Sequence, residues 1–231
     1  MREVETQLEA GVIVVPTSEA ARYNEFWLSV GSIKVPKGTD LFHTSGLEFV
    51  RNLNNMVQTV LDQEDKKWIW LLGDDHTFDN DLLLNLLAHK KDIIVPMVAA
   101  RKFPFDSVVV HGPIGEGHRY KWDEFKFDEK GLMRLNYGDT VGTAGMLINK
   151  EVFRKLSYPW FRCGQVFSDI ISEDIYLASK FWDYGYEIYV AEHYMTHITS
   201  SVIFPSKGAD GKYHPVIGML NDTNGCWYMG V

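Results

Sequence analysis

Cysteine is scarce in this chain: Cys163 and Cys226 are the only two in 231 residues. They lie far apart and show none of the paired spacings of a zinc ribbon or a redox motif, so neither a disulfide framework nor a thiolate metal site organises the chain, and reduced thiols are expected. Long apolar runs are missing too. No window approaches the roughly 18 to 20 apolar residues of a membrane span, and residues 1–10 carry charges where a secretory leader needs an apolar core. The expectation is a cytoplasmic, soluble protein with no membrane span. Basic residues are in deficit, 23 Lys and Arg against 31 Asp and Glu, for a net charge of -8. That balance favours solubility and gives no general pull toward polyanions, which makes nucleic acid a poor partner.

What is present is a chain with 45% hydrophobic and 23% charged residues, enough to bury a sizeable core in one domain spanning 1–231. Strand and helix patterns alternate, the signature of a layered α/β domain with a mostly parallel central sheet. Gly11-Val-Ile-Val-Val-Pro16 reads as a buried strand, followed by a helix over 18–28 opened by a Ser18 cap. A short strand near 40–43 ends in a turn at 44–46. Residues 47–61 then carry apolar side chains at nearly helical spacing. Trp68-Ile-Trp-Leu-Leu72 is a second buried strand, 79–89 a short Leu-rich helix, and Asp92-Ile-Ile-Val-Pro96 a third strand. In such β-α successions ligands bind at the carboxyl ends of the strands.

The second half is less regular. Residues 103–130 read as loops and an edge hairpin, with a candidate lid over 103–118. Strands are expected over 131–137 and 143–148, helices over 150–156 and 173–184, and a closing strand over 187–190. The tail beyond 199 gives few periodic cues, and no repeat or low-complexity tract appears.

Three features carry chemistry. The buried strand ending in Leu71-Leu-Gly-Asp-Asp-His-Thr-Phe78 puts two carboxylates and an imidazole where a ligand crevice lies, and like charges so close need a cation or a basic partner. Such oxygen and nitrogen donors suit a divalent ion shared with substrate phosphates. Asp79 and Asn80 are better read as caps of the helix that follows. At Ile171-Ser-Glu-Asp-Ile175, Ser172 is a candidate cap, and Glu173 and Asp174 would sit in the first turn of a helix, where the dipole alone accounts for them. His197 ends the last expected strand, a place where a lone histidine is more often hydrogen-bonded than metal-bound.

Taken in order, these features resemble the GT-A glycosyltransferases, especially the large inverting family two. Pro16-Thr17 matches the pair ending that family's first strand, and Arg51-Asn52 matches the Arg-Asn of its next helix. The Asp-x-Asp metal motif aligns with Gly73 in the first aspartate's place and Asp75 in the last, Asp74 or His76 being able to compensate. Val141-Gly-Thr-Ala-Gly-Met-Leu-Ile148 resembles the donor-sugar loop, Pro159-Trp-Phe161 the aromatic segment, Ser172-Glu-Asp174 the Ser/Thr-Glu-Asp motif, and His197 a metal-ligating histidine.

The resemblance, spanning about residues 11–198, implies a Rossmann-like three-layer αβα sandwich with a nucleotide-binding half in 1–100, an acceptor and catalytic half in 101–198 and a tail in 199–231. It implies a metal-dependent enzyme moving a sugar from a nucleotide-diphosphate sugar to the hydroxyl of a glycan or small-molecule acceptor. Donor contacts fall on Pro16, Thr17, Arg51, Asp74, Asp75, Arg101, Gly142 and Thr143. Asp75 and His197 would hold Mn2+ or Mg2+, and Trp160 would stack on the acceptor. If the enzyme inverts, Asp174 would act as the base with Glu173 orienting it or binding acceptor; if it retains configuration, the same carboxylate would steady positive charge on the sugar or hold the acceptor, and the sequence leaves both open. A nucleotidyltransferase acting on a sugar phosphate is a rival, although residues 11–23 lack its glycine-rich basic loop. A non-catalytic sugar-binding module is the other, and would need no base.

Overall fold

The computed structural model describes residues 1–17, 23–45, 48–101, 104–112, 117–166, 169–198, 202–221 and 225–230. The first part of the chain forms β1 (Arg2–Val4), β2 (Val12–Thr17), α1 (Asn24–Ser32), β3 (Lys34–Pro36), β4 (Asp40–Ser45), α2 (Phe49–Leu61), β5 (Trp68–Leu71), β6 (His76–Phe78), α3 (Leu82–Ala88) and β7 (Ile93–Val98). It continues through β8 (Val109–His111), β9 (His118–Arg119), β10 (Leu132–Arg134), β11 (Thr140–Val141), β12 (Met146–Asn149) and α4 (Lys150–Lys155). It ends with β13 (Gly164–Val166), β14 (Asp169–Ile171), α5 (Glu173–Asp183), β15 (Tyr189–Ile198), β16 (Val202–Lys207), β17 (Tyr213–Asn221) and β18 (Gly225–Gly230).

The centre of the main sheet is ordered β15-β7-β12-β5-β2-β4. β2 runs parallel to β4 and β5, and β7 parallel to β15, while β12 lies antiparallel between β5 and β7. All of these strands except β12 therefore share one direction, as expected. The sheet is covered on both faces, which is why its strands read as unbroken apolar runs rather than as alternating ones. In β2, Val12 and Val14 pack toward α2, α4 and α5 with Leu53, Val57, Phe153 and Leu177. Ile13 and Val15 pack on the other side with Phe26 of α1 and Leu83 and Leu86 of α3. Each such fully buried aliphatic side chain contributes about 1.5–3 kcal/mol. The result is three layers, helices on each side of a mostly parallel sheet. No helix among the described residues is long and apolar enough to cross a membrane.

Several expected boundaries shift. Ser18 and Gly46 lie outside the described residues. The first helix runs over Asn24–Ser32 rather than 18–28, and the second strand continues through Thr44 and Ser45, which pair with Pro16 and Thr17 instead of turning. Asp79 and Asn80 do not cap α3 with their side chains. The N-cap is Asp81, whose carboxylate pairs with Lys34 at 2.9 Å, while the carbonyl of Asn80 accepts from the Lys34 amide at 2.8 Å. The closing strand extends well past its expected end, to Ile198. A register shift between Ala191 and Tyr194 interrupts its pairing with β7, and a bulge of that kind breaks the period of two by which a strand is recognised. The tail forms an antiparallel extension, β16-β17-β18, on the far side of β15.

Candidate functional site

β5 ends where the sheet opens, and the chain turns through Asp74 and Asp75 into the three-residue strand β6. That strand pairs antiparallel with β15, placing His197 opposite His76, and the Ile198 amide donates to the Asp75 carbonyl at 2.7 Å. This pairing gathers Asp75, His76 and His197, all buried, with one ligand atom from each lying within 4.8 Å of the others.

The ring orientations define what the group can do. Nδ1 of His197 lies 2.9 Å from the Ala99 carbonyl. A carbonyl only accepts, so this nitrogen carries the proton and Nε2 presents a lone pair. Nε2 lies 3.3 Å from Oδ2 of Asp75, and two acceptors at that distance make no bond with each other. Nδ1 of His76 is 2.8 Å from Oδ1 of Asp75 but off-axis for a hydrogen bond, and neither nitrogen of this ring has a hydrogen-bond partner among the described residues. Burial, followed by the neighbouring His197, pushes His76 down to about 3, and burial foremost pushes His197 down to about 4. Both rings are therefore neutral near pH 7, the form that ligates metals.

Buried polar atoms without partners are rare and call for an explanation. Here the unpartnered His76 nitrogens and the converging lone pairs of Asp75 and His197 fit a divalent cation, with the backbone bond to Ala99 fixing the His197 tautomer as a supporting contact does in metal sites. In the structure it is Arg101 that meets this cluster. Its guanidinium contacts Oδ2 of Asp75, and its Nε donates to Nε2 of His197 at 2.6 Å. Asp74 points elsewhere and accepts from the Thr17 hydroxyl at 2.5 Å, tying the end of β2 to the turn after β5.

A cleft of about 240 Å³ opens beside the cluster, lined by Asp75, His76, Arg101 and His197. Its facing wall holds Glu173 and Asp174, in the first turn of α5, with Pro16, Gly142 and Thr143 also in the lining. Ser172 occupies the expected N-cap position, but its hydroxyl bonds to Oδ1 of Asp174 rather than to the helix backbone. The Ile175 amide donates to the same oxygen at 2.8 Å. Oδ2 of Asp174 lies 3.8 Å from where a Cβ on Gly142 would stand. Burial first, and then the neighbouring Asp174, raises Glu173 above the usual carboxylate range.

The structure thus brings together Pro16, Asp75, Arg101, Gly142, Thr143, Glu173, Asp174 and His197, with Thr17 and Asp74 bonded to each other. Two expected residues stand apart. Arg51 is exposed and pairs with Glu48 at 3.0 Å on the solvent side of α2, because the apolar face of that helix turns Leu53, Val57 and Val60 inward. Trp160 is only 4% exposed. Its indole N–H donates to the Phe153 carbonyl at 2.9 Å and its ring meets Phe153 edge-on, so it fills the core and offers no face to an acceptor.

Of the expected lid, residues 103 and 113–116 lie outside the described part. β8, β9 and β11 form a small sheet, and Val108, just before β8, reaches the cleft lining. His76, expected as a nitrogen donor beside the acidic strand end and as a stand-in for a missing aspartate, is a full member of the cluster. Its position beside an acidic strand end was the available signal.

No protein-family model matches the chain, and no curated protein matches it. Solved structures are similar to it, two of them as follows. A197 from STIV is 15% identical with a TM-score of 0.57, covering 97% of each chain. GalNAc-T7, crystallised with UDP, GalNAc and Mn2+, is 10% identical with a TM-score of 0.53 over 81% of this chain and 43% of that one. The chain therefore spans less than half of the GalNAc-T7 chain. At these identities the likeness shows the fold alone, a mixed α/β architecture of the GT-A type.

Proposed function

We propose that this protein is a metal-dependent glycosyltransferase that moves a sugar from a nucleotide-diphosphate sugar to an acceptor hydroxyl. The observation that carries the reading is that Asp75, His76 and His197 share one cleft with Glu173 and Asp174, which sets a cation site beside a candidate base.

Asp75, His76 and His197 would hold the ion. Their mixed set of one carboxylate and two imidazoles suits Mn2+ better than Mg2+, which prefers oxygen ligands and retains water. When bound, the ion supplies positive charge against the charge gathering on the departing diphosphate. The chain's own residues do the rest. Pro16, with Thr17 and Asp74 locked to each other, forms the surface for base and ribose, and Gly142 and Thr143 leave room for the sugar. Asp174 takes the proton of the acceptor hydroxyl as that oxygen bonds to the anomeric carbon. The bond from that carbon to the phosphate oxygen breaks, and its electron pair leaves with the diphosphate. Attack from the face opposite the diphosphate would make the outcome inversion. Glu173 borders the same space and binds the acceptor or orients the base.

The test is a thermal-shift panel of nucleotide-diphosphate sugars with and without Mn2+, since a ligand that binds only the folded state raises the melting temperature. One nucleotide class should raise it, and only with Mn2+ present. No shift with any donor would remove the transferase reading. Donor hydrolysis that needs Mn2+ and is lost in Asp174→Asn would separate an enzyme from a sugar-binding module.

A further inference from the structure

We propose that Arg101 occupies the cation position of the Asp75–His76–His197 cluster in the metal-free protein and that a divalent ion displaces it, the guanidinium and the ion being alternative occupants of the same acceptor atoms. This inference rests on the metal-dependent reading given above.

The geometry carries it. Oδ2 of Asp75 and Nε2 of His197 lie 3.3 Å apart, and both are acceptors, because the other His197 nitrogen is engaged with Ala99. Two facing lone pairs at that separation repel unless positive charge lies between them. Arg101 supplies it to both atoms at once, Nε to His197 at 2.6 Å and Nη2 to Asp75. Among the described residues, Arg101 is the only permanently charged group paired with Asp75, its other neighbours there being the rings of His76 and His197. A guanidinium keeps its proton under all ordinary conditions, so it neutralises this buried carboxylate in the absence of metal.

An ion seated on those atoms would meet the guanidinium as a like charge at contact distance, and the two are mutually exclusive. Displacement is cheap in packing terms, since the Arg101 side chain is 49% exposed and its departure leaves no core cavity. The freed guanidinium stays on the cleft wall, where a planar fork of donors suits a phosphate group. Ion binding would thereby prepare the donor site.

The experiment measures Mn2+ binding without any donor, by electron paramagnetic resonance of the unbound ion and by calorimetry, on the wild type, Arg101→Met, Arg101→Gln and Arg101→Lys. Near-ultraviolet circular dichroism checks that each variant keeps the native fold, and the two neutral variants guard against one failing to fold. The neutral variants should bind Mn2+ about tenfold more tightly than the wild type, the loss of one charge-assisted contact being of that order. Arg101→Lys should stay near the wild type. Equal or weaker binding by the neutral variants, with the wild type itself binding Mn2+, overturns the displacement and leaves the metal-dependent reading standing. No Mn2+ binding by the wild type or any variant overturns both.

Discussion

His76 on β6 and His197 on β15 face each other in antiparallel register, their ring centroids 4.2 Å apart and their planes inclined by 32°. Either ring alone would be an ordinary buried histidine. Together with Asp75, which directly precedes His76 and whose carbonyl holds the Ile198 amide, they form a cluster set by backbone pairing rather than by flexible loops. Rigid placement of that kind is what the proposed ion site requires.

Asp75→Asn should therefore abolish stabilisation by Mn2+ while leaving the fold intact. A one-site ligand at a hundredfold excess over its Kd adds about 2.7 kcal/mol to the native state. Melting curves with and without Mn2+ should separate for the wild type and coincide for Asp75→Asn. An undiminished shift in the variant would place the ion elsewhere.

Asp174→Asn should lower kcat by about 10²- to 10⁴-fold with donor KM nearly unchanged, the pattern of a group that acts as base in the transition state. Oδ1 of Asp174 accepts from Ser172 and from the Ile175 amide, contacts that an amide oxygen can keep, so the variant should fold. Steady-state kinetics with the donor found in the thermal-shift panel check this. A change confined to KM would make Asp174 a binding residue.

Much of this was legible in the sequence, and the exceptions share a cause. β2 and β5 were plain because a strand buried on both faces leaves a continuous apolar run. Asp75, Glu173, Asp174 and His197 are singled out by order along the chain, and the fold brings them to one cleft. β6 is too short to leave a periodic trace, and the register shift at Ala191 hid the length of β15, so the partnership of His76 with His197 was out of reach. Trp160 was misplaced for a related reason. The side chain of Asn54 accepts from the Trp160 and Phe161 amides at 3.0 and 3.1 Å and donates to the Phe161 carbonyl at 2.9 Å. Those bonds, between residues distant along the chain, pull an apparent loop into the core, and nothing local encodes them.

Burial of that ring sets a stability cost. Trp160→Ala should destabilise the protein by about 3–5 kcal/mol, the usual range for emptying a large buried aromatic site, whereas Arg51→Ala should change stability by no more than about 1 kcal/mol, as its pair with Glu48 is solvent-exposed. Urea unfolding of both variants measures the contrast. Arg51→Ala should also leave donor affinity unchanged.

Acid should weaken the metal-free protein through the paired rings. The unfolded chain protonates both histidines as pH falls below 6.5, but the folded chain resists until about 4 for His197 and about 3 for His76. The unfolded state then binds more protons, so stability is full above about pH 6.5 and falls as pH drops, by at most about 1.4 kcal/mol per pH unit for each ring. Urea midpoints in chelator at about pH 7.5 and about pH 5.5, on either side of the unfolded value, measure the loss, and His76→Asn should lessen it. A variant as acid-sensitive as the wild type would remove His76 from this account.

The last prediction concerns Gly73, which stands where the GT-A resemblance would place the first aspartate of an Asp-x-Asp motif. A Cβ there would lie 2.9 Å from Oδ1 of Asp75, closer than side-chain carbons approach such atoms, and 3.0 Å from Nδ1 of His76, a tight contact. The Asp75 carboxylate and the His76 imidazole together fill the space that a side chain here would need. Gly73→Asp, which restores the Asp-x-Asp pattern, should thus cost about 1–3 kcal/mol through overpacking and push His76 out of the cluster. Gly73→Asp combined with His76→Ala removes one of the two obstructions and should be more stable than the sum of the single effects, a coupling that a double-mutant cycle of urea midpoints reads directly. The double variant should still be stabilised by Mn2+, with the introduced carboxylate standing in for the lost ring as a ligand. Strictly additive costs would mean that the two positions do not compete for one space, and the physical reason given for glycine at this position would fall with them.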